Sequence, residues 1–171
     1  MNERVYELLN DQINKELFSA YKYMVFADYY ESVGLGGYAN WYMIQAAEER
    51  DHALIFRRYL IENGCPIVNK AIDDPSMHFE SDIEPLKEGL HHEQYVTSLI
   101  NDIFEAAVEA KDYRTQNFLA WFIEEQLEEE DSAQTMIDQM ERFGSDSRSL
   151  YELDREYASR SYTVPSPLAK D

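Results

Sequence analysis

Glu48-Glu49-Arg50-Asp51-His52, in the middle of the second long helical segment, is the stretch whose reading decides the fold. Glu49 and His52 are three apart, so on a helix they share a face. Tyr38, Tyr42, Gln45, Phe56 and Tyr59 continue that face in steps of four and three, and all but Gln45 are aromatic. A carboxylate and an imidazole on a core-facing stripe are costly to bury unless something pairs with them. The question for the rest of the chain is what supplies the pairing.

The same pattern recurs three times. Segment A, from about Glu3 to Val33, carries Leu9, Ile13, Glu16, Ala20, Tyr23, Ala27 and Tyr30 on one stripe. Asn2 reads as its N-cap and Gly34 as its stop. Segment B, Tyr38 to Asn63, follows a short Leu35-Gly36-Gly37 connector and so returns antiparallel. Segment C, capped at Ser81 or Asp82 with Pro85 in its first turn, runs to Ala110. Its stripe is Leu86, Leu90, Glu93, Thr97, Ile100, Phe104 and Ala107. Segment D, Tyr113 to Phe143, is capped by Asp112 and carries Leu119, Phe122, Gln126, Glu129, Ala133, Met136 and Met140. A short segment E, Ser149 to Ser159, precedes a proline-containing tail.

Between B and C, Cys65 to Asp82 holds prolines and scattered polar residues. Its 18 or so residues could span up to roughly 60 Å, whereas a helix of about 26 residues is roughly 40 Å long. That stretch reads as a crossover that makes B and C parallel. The predicted fold is an all-α four-helix bundle, residues 1–145, with a long B–C crossover. Residues 146–171 add the short fifth helix and the tail.

Composition narrows the chemistry. A formal net charge of -19, with 34 acidic against 15 basic residues, argues against nucleic acid and anionic membrane as partners. It favours cations. One cysteine, Cys65, excludes an internal disulfide framework and any CxxC metal site. No signal-like or membrane-spanning apolar run is present, which points to the cytoplasm.

Glu16, Glu49 with His52, Glu93, and Gln126 with Glu129 each fall near the midpoint of their own helix. In a bundle of similar-length helices the midpoints meet at one height, so these groups converge in one slice of core. Four ionised carboxylates cannot share a low-dielectric site unaided, and a pair of divalent cations removes the conflict. One Glu from each of two helices with Glu-x-x-His from the other two is the di-iron carboxylate pattern. Here the second Glu-x-x-His is replaced by Gln126-x-x-Glu129. A mostly oxygen donor set with a single imidazole suits Fe(II) and Mn(II) over copper or zinc. Any one glutamate in so acidic a chain is more often solvated than a ligand; the coincidence of four carries the signal. Glu88 and His91 repeat the spacing on a mostly polar face and read as surface. Glu48, Glu125 and Glu128, beside Glu129, form an acidic cluster just outside the slice. Tyr23 and Trp121 could lie near the metals, although aromatics at helical spacing are more often plain core.

With these residues in view, the chain resembles the bacterial non-haem ferritins over almost its full length. The resemblance rests on Asn14-Lys15-Glu16-Leu17, Ala47 to His52, Glu93-Gln94, and above all Phe118 to Glu130. It implies an intra-subunit ferroxidase centre. Glu16, Glu49 and His52 would hold the first iron, and Glu93 and Glu129 the second, with Glu49 bridging. Gln126 would sit beside the pair and hydrogen-bond an oxygen species. Glu48, Glu125, Glu128 and Glu129 would form a third iron site. It further implies a twenty-four-subunit homo-oligomeric shell storing ferric mineral, with dioxygen or hydrogen peroxide as oxidant. Bacterioferritins keep Glu-x-x-His in segment D and place a haem-ligating Met after the bridging Glu. The Arg50 and Gln126-x-x-Glu129 of this chain predict no haem. Rubrerythrins would need a CxxC iron module. Two other classes remain open: a di-metal oxidase acting on an organic substrate, and a non-catalytic helical interaction protein. The Ser161–Asp171 tail has no assigned role.

Overall fold

The computed structural model describes residues 1–169. Four long helices and a short one follow in order: α1 Glu3–Ser32, α2 Gly36–Glu62, α3 Glu84–Glu109, α4 Tyr113–Phe143 and α5 Ser147–Tyr157. Their ends are chemically marked. The Asn2 side chain accepts from the Arg4 and Val5 amides, Asp112 from Thr115 and Asp146 from Ser149. Gly34 and Gly64 close α1 and α2 at φ 80° and 72°. There the Leu35 and Cys65 amides reach back to the Tyr30 and Leu60 carbonyls, both at 2.9 Å.

Side-chain pairings fix the topology. Tyr30 stacks on Tyr38 while Glu16 lies by His52, so α2 is antiparallel to α1. Lys22 meets Glu88 and Arg4 meets Glu109, so α3 is also antiparallel to α1. Therefore α2 and α3 are parallel, as the long crossover requires. That crossover runs along α1. Tyr6 donates to the Pro66 carbonyl, Asn10 pairs with both backbone groups of Val68, and Asn14 donates to Lys70 and Ala71. Phe79 then packs on Phe26 and Tyr29.

Three boundaries and one face differ from the sequence reading. Asp82 does not cap α3. Its carboxylate and carbonyl accept the Tyr29 and Tyr30 hydroxyls, and Ile83 takes the cap position without a side-chain bond. α2 begins at Gly36, because Asp154 of α5 accepts from the Gly37 and Tyr38 amides at 2.7 and 3.1 Å. α5 starts two residues early, at the position its Asp146 cap dictates. The buried face of α3 is rotated: Gly89, His92, Val96 and Ile103 are buried, while Leu90, Thr97 and Phe104 are only half-buried. Gly89 belongs there because a Cβ would come 3.1 Å from the Tyr42 hydroxyl.

The core is divided. One apolar cluster, around Tyr23, Phe26, Tyr30, Tyr38 and Met136, fills the end near α5. Another, around Leu9, Ile13, Phe56, Ile100 and Phe122, fills the opposite end. The polar midpoints lie between them.

At the α3–α4 connector Lys111 adopts φ 55°, a left-handed conformation that favours glycine. The Asp112 amide closes the turn on Ala107 at 2.8 Å. Lys111→Gly is expected to raise unfolding stability by about 0.5–1 kcal/mol. Guanidinium unfolding of the metal-free chain reads this as a higher midpoint; a lower midpoint would show that lysine is not strained there.

Candidate metal centre

The structure brings together all six residues that the stripes single out. Glu16, Glu49 and His52 are each 1 % exposed, Glu93 and Gln126 3 %, and Glu129 9 %. Ligand atoms of Glu16, Glu49 and His52 lie within 4.8 Å of one another, and so do those of Glu49, Glu93 and Glu129. Two donor sets thus share Glu49, the carboxylate of the fourth turn of α2. His52 Nδ1 faces the first set, 3.4 Å from Glu49 and 4.0 Å from Glu16.

Neutral neighbours hold the carboxylates, Glu16, Glu49 and Glu129 on one oxygen each and Glu93 on both. Gln12 donates to Glu16 at 2.8 Å, and Gln45 donates to both Glu49 and Glu129 at 3.0 Å. The Tyr23 hydroxyl donates to Glu93, and Gln126 reaches the Glu93 carboxylate and carbonyl at 3.2 Å each. These bonds orient the ligands and leave one oxygen of Glu16 and one of Glu129 free. Glu16 Oε2, His52 Nε2 and Glu129 Oε2 are buried without any partner. Orphaned acceptors of this kind are rare in a folded core, and they fit a site shaped for cations.

Burial governs the protonation of the empty cage. It raises the Glu16, Glu49 and Glu129 carboxyls well above their ordinary range. The next cause is a neighbouring carboxylate: Glu49 for both Glu16 and Glu129, and Glu93 for Glu49. Burial also raises the Tyr23 phenol, and Glu93 adds to it.

The outer cluster is looser. Glu125 and Glu129 group with His52, whose Nε2 lies 4.0 Å from Glu125. Glu128 is exposed, and Glu48 is ion-paired with Arg160 at 2.5 Å. Glu48, Glu93, Glu125, Glu128 and Glu129 line one cavity of about 120 Å³ that opens beside the second donor set. Trp121 packs edge-on against His52 at 5.5 Å. Glu88 accepts from the buried Lys22 at 2.6 Å while His91 is exposed, so that pair stays outside the slice. The stripes missed Gln12 and Arg160. Gln12 precedes Glu16 by one helical turn, a signal that could have found it; Arg160 lies in the tail and has none.

A family model described as a ferritin-like domain matches residues 6–143. The chain belongs to the ferritin family. The bacterial non-heme ferritin of Staphylococcus haemolyticus is 40% identical over 162 residues, which cover 95% of this chain and 98% of that one. Its counterpart in Staphylococcus aureus (strain USA300) is 37% identical over the same coverage. Among solved structures, an engineered closed form of the Archaeoglobus fulgidus ferritin superposes with TM-score 0.93 at 36% identity, covering 95% and 99% of the two chains. The open-pore ferritin of the same archaeon gives TM-score 0.92 at 37% identity, over 94% and 99%. Iron storage with ferroxidase activity is the function of the ferritin family, and the buried carboxylate and imidazole groups are compatible with it. Ferritin chains form homo-oligomers. No helix among the described residues is long and apolar enough to cross a membrane.

The raised carboxyls set a pH dependence. A carboxyl whose value rises on folding favours the folded chain below its ordinary 4.5. That contribution is lost as pH rises through the raised value. The metal-free chain should therefore lose stability from about pH 5 upward, and a bound cation must expel the retained protons. Zn(II) binding near pH 7 is expected to release about one or more protons per chain. Calorimetry in buffers of different ionisation heat measures this, and zero release would mean that the carboxylates are already ionised.

Proposed function

We propose that each chain oxidises Fe(II) at a di-iron centre and passes the ferric product to mineral inside a hollow shell of twenty-four copies. Iron is the substrate. Glu16, Glu49 and His52 hold the first ion, Glu49, Glu93 and Glu129 the second, and Glu49 bridges. The observation that carries this reading is the pair of unpartnered buried carboxylate oxygens, one on Glu16 of the first donor set and one on Glu129 of the second. A core without cations would leave each of them desolvated and uncompensated.

Two adjacent ions let two electrons leave together, so dioxygen or peroxide is reduced without release of superoxide. Around the pair this chain supplies position. Gln12 and Gln45 fix the carboxylates on helices α1, α2 and α4. Tyr23 donates its hydroxyl to Glu93, and Gln126, whose amide nitrogen holds Glu93, sits beside the pair. The first set has an imidazole and the second only oxygens, so the second holds its ion less tightly. It also faces the cavity, and its ion leaves first, toward a third site formed by Glu48, Glu125, Glu128 and Glu129. The acidic surface, at a net charge of -19, draws Fe(II) in and nucleates mineral. Residues 1–145 form the catalytic unit and 146–171 an appendage, in a cytoplasmic protein without haem.

An oxidase for an organic substrate is disfavoured by the cavity itself. At about 120 Å³ and ringed by carboxylates, it is smaller than pockets that take drug-sized organic molecules.

Replacing Glu49 and His52 together by Ala tests the assignment. Oxygen consumption on adding Fe(II) is expected to fall on the order of 100-fold or more, toward the rate in buffer. Gel filtration should still show the assembled particle, because the two neighbouring buried polar groups, 3.4 Å apart, are removed together and neither is left facing the gap of the other. Unchanged oxidation in an assembled particle would remove both residues from the site.

A further inference from the structure

The tail after α5 is seated along α2 and places one cation over the acidic cavity. Asn40 donates to the Arg160 carbonyl at 3.1 Å, and Tyr162 donates to Asp51 further along the same helix. Between these anchors the Arg160 guanidinium lies over the Trp41 ring, 3.8 Å from its centroid. One of its nitrogens donates to the Trp41 carbonyl and to Gln45 Oε1, both at 3.1 Å; another meets Glu48 at 2.5 Å. Among the described residues lining the cavity, Arg160 is the one basic side chain, facing Glu48, Glu93, Glu125, Glu128 and Glu129.

We propose that Arg160 is a tethered cation that competes with a metal ion for Glu48, and so controls when iron passes from the pair into the outer acidic site. The inference rests on the di-iron reading above. His52 Nε2 and Glu129 Oε2, buried and unpartnered, border the same acidic group as Glu125. A cation arriving there gains Glu125 and Glu129 at once. To gain Glu48 it must displace a guanidinium already paired in a partly desolvated position, where opposite charges count for more than in water. Displacement is possible because the competitor sits on a tail held by a few bonds, not on a helix of the bundle. Through Gln45, the same guanidinium also touches the hydrogen bonds that position Glu49 and Glu129. Filling the outer site is thereby coupled to the geometry of the second iron.

Zn(II), which cannot be oxidised further, titrated into the assembled metal-free protein and followed by calorimetry tests this. The parent should bind two ions tightly and a third weakly. Arg160→Gln should keep the two and strengthen the third about tenfold or more. Arg160→Lys retains the charge and should leave the third ion weak. An unchanged third step in Arg160→Gln, or an equal gain in Arg160→Lys, would overturn the proposal. Fewer than two tight ions in the parent would overturn the di-iron reading, and the proposal with it. A second measurement needs no change at Arg160. In a Trp121→Phe background, Trp41 is the remaining tryptophan of the two. Its emission should hold steady through two equivalents and shift on the third as the guanidinium leaves its ring. Emission that stays flat while the third ion binds would show that Arg160 does not move aside.

Discussion

The mutual repulsion of four carboxylates in one dry slice is the constraint on which this bundle depends. Apolar clusters above and below the slice hold the helices in register. That register drives Glu16, Glu49, Glu93 and Glu129 to within reach of one another. Packing alone would favour apolar residues at these midpoints, since unpaired buried charge costs stability. The fold tolerates the arrangement in two ways. Burial and neighbouring charge shift the Glu16, Glu49 and Glu129 carboxyls toward the protonated form when the cage is empty, and cations compete with those protons when it is filled. Stability and function therefore pull against each other at the same atoms, as expected where a site is built into a core.

Much of this was legible in the sequence because helical periodicity exposes exceptions. A glutamate among leucines and tyrosines at steps of four and three stands out, and equal helix lengths translate four exceptions into one site. The topology followed from a crossover long enough to return along the bundle. What was not legible had competing partners. Asp82 has the right residue type and position to cap α3, yet two tyrosines of α1 recruit it. The rotated face of α3 was hidden because Gly89 and His92 are not core residues by type. Gly89 makes room for the Tyr42 hydroxyl, and His92 is buried against Ser19 at 2.8 Å. Burial and the nearby Lys22 keep its imidazole neutral, pushed down to about 3. The last two residues of the tail, Lys170 and Asp171, lie outside the described residues.

The residues that orient the ligands divide by distance along the chain. Gln12 serves Glu16 and Gln45 serves Glu49 from one turn away on the same helix, so helix geometry alone sets those bonds. Glu93 instead depends on Tyr23 from α1 and Gln126 from α4, and Glu129 on Gln45 from α2. The first donor set thus needs only α1 and α2 docked, whereas the second, with the residues that orient it, draws on all four long helices. A site whose orientation depends on docking responds more to small shifts in packing. That difference in support runs in the same direction as the difference in ligands, an imidazole in the first set and oxygens alone in the second. Both make the second ion the more easily released.

Desolvation also explains why two neighbouring acidic groups receive different counter-charges. The inner carboxylates are buried between the helices and are reached only through the narrow cavity beside the second donor set. Small ions are the counter-charge that fits there. Glu48 and Glu125 lie at a half-exposed mouth, where the tail brings a guanidinium and solvent can take its place. A side-chain cation suits the outer position because a metal ion can compete with it there; the same group inside would block the chemistry. The boundary between what a metal must do and what a side chain can do is therefore set by depth below the surface, and Gln45 lies on that boundary with bonds to both sides.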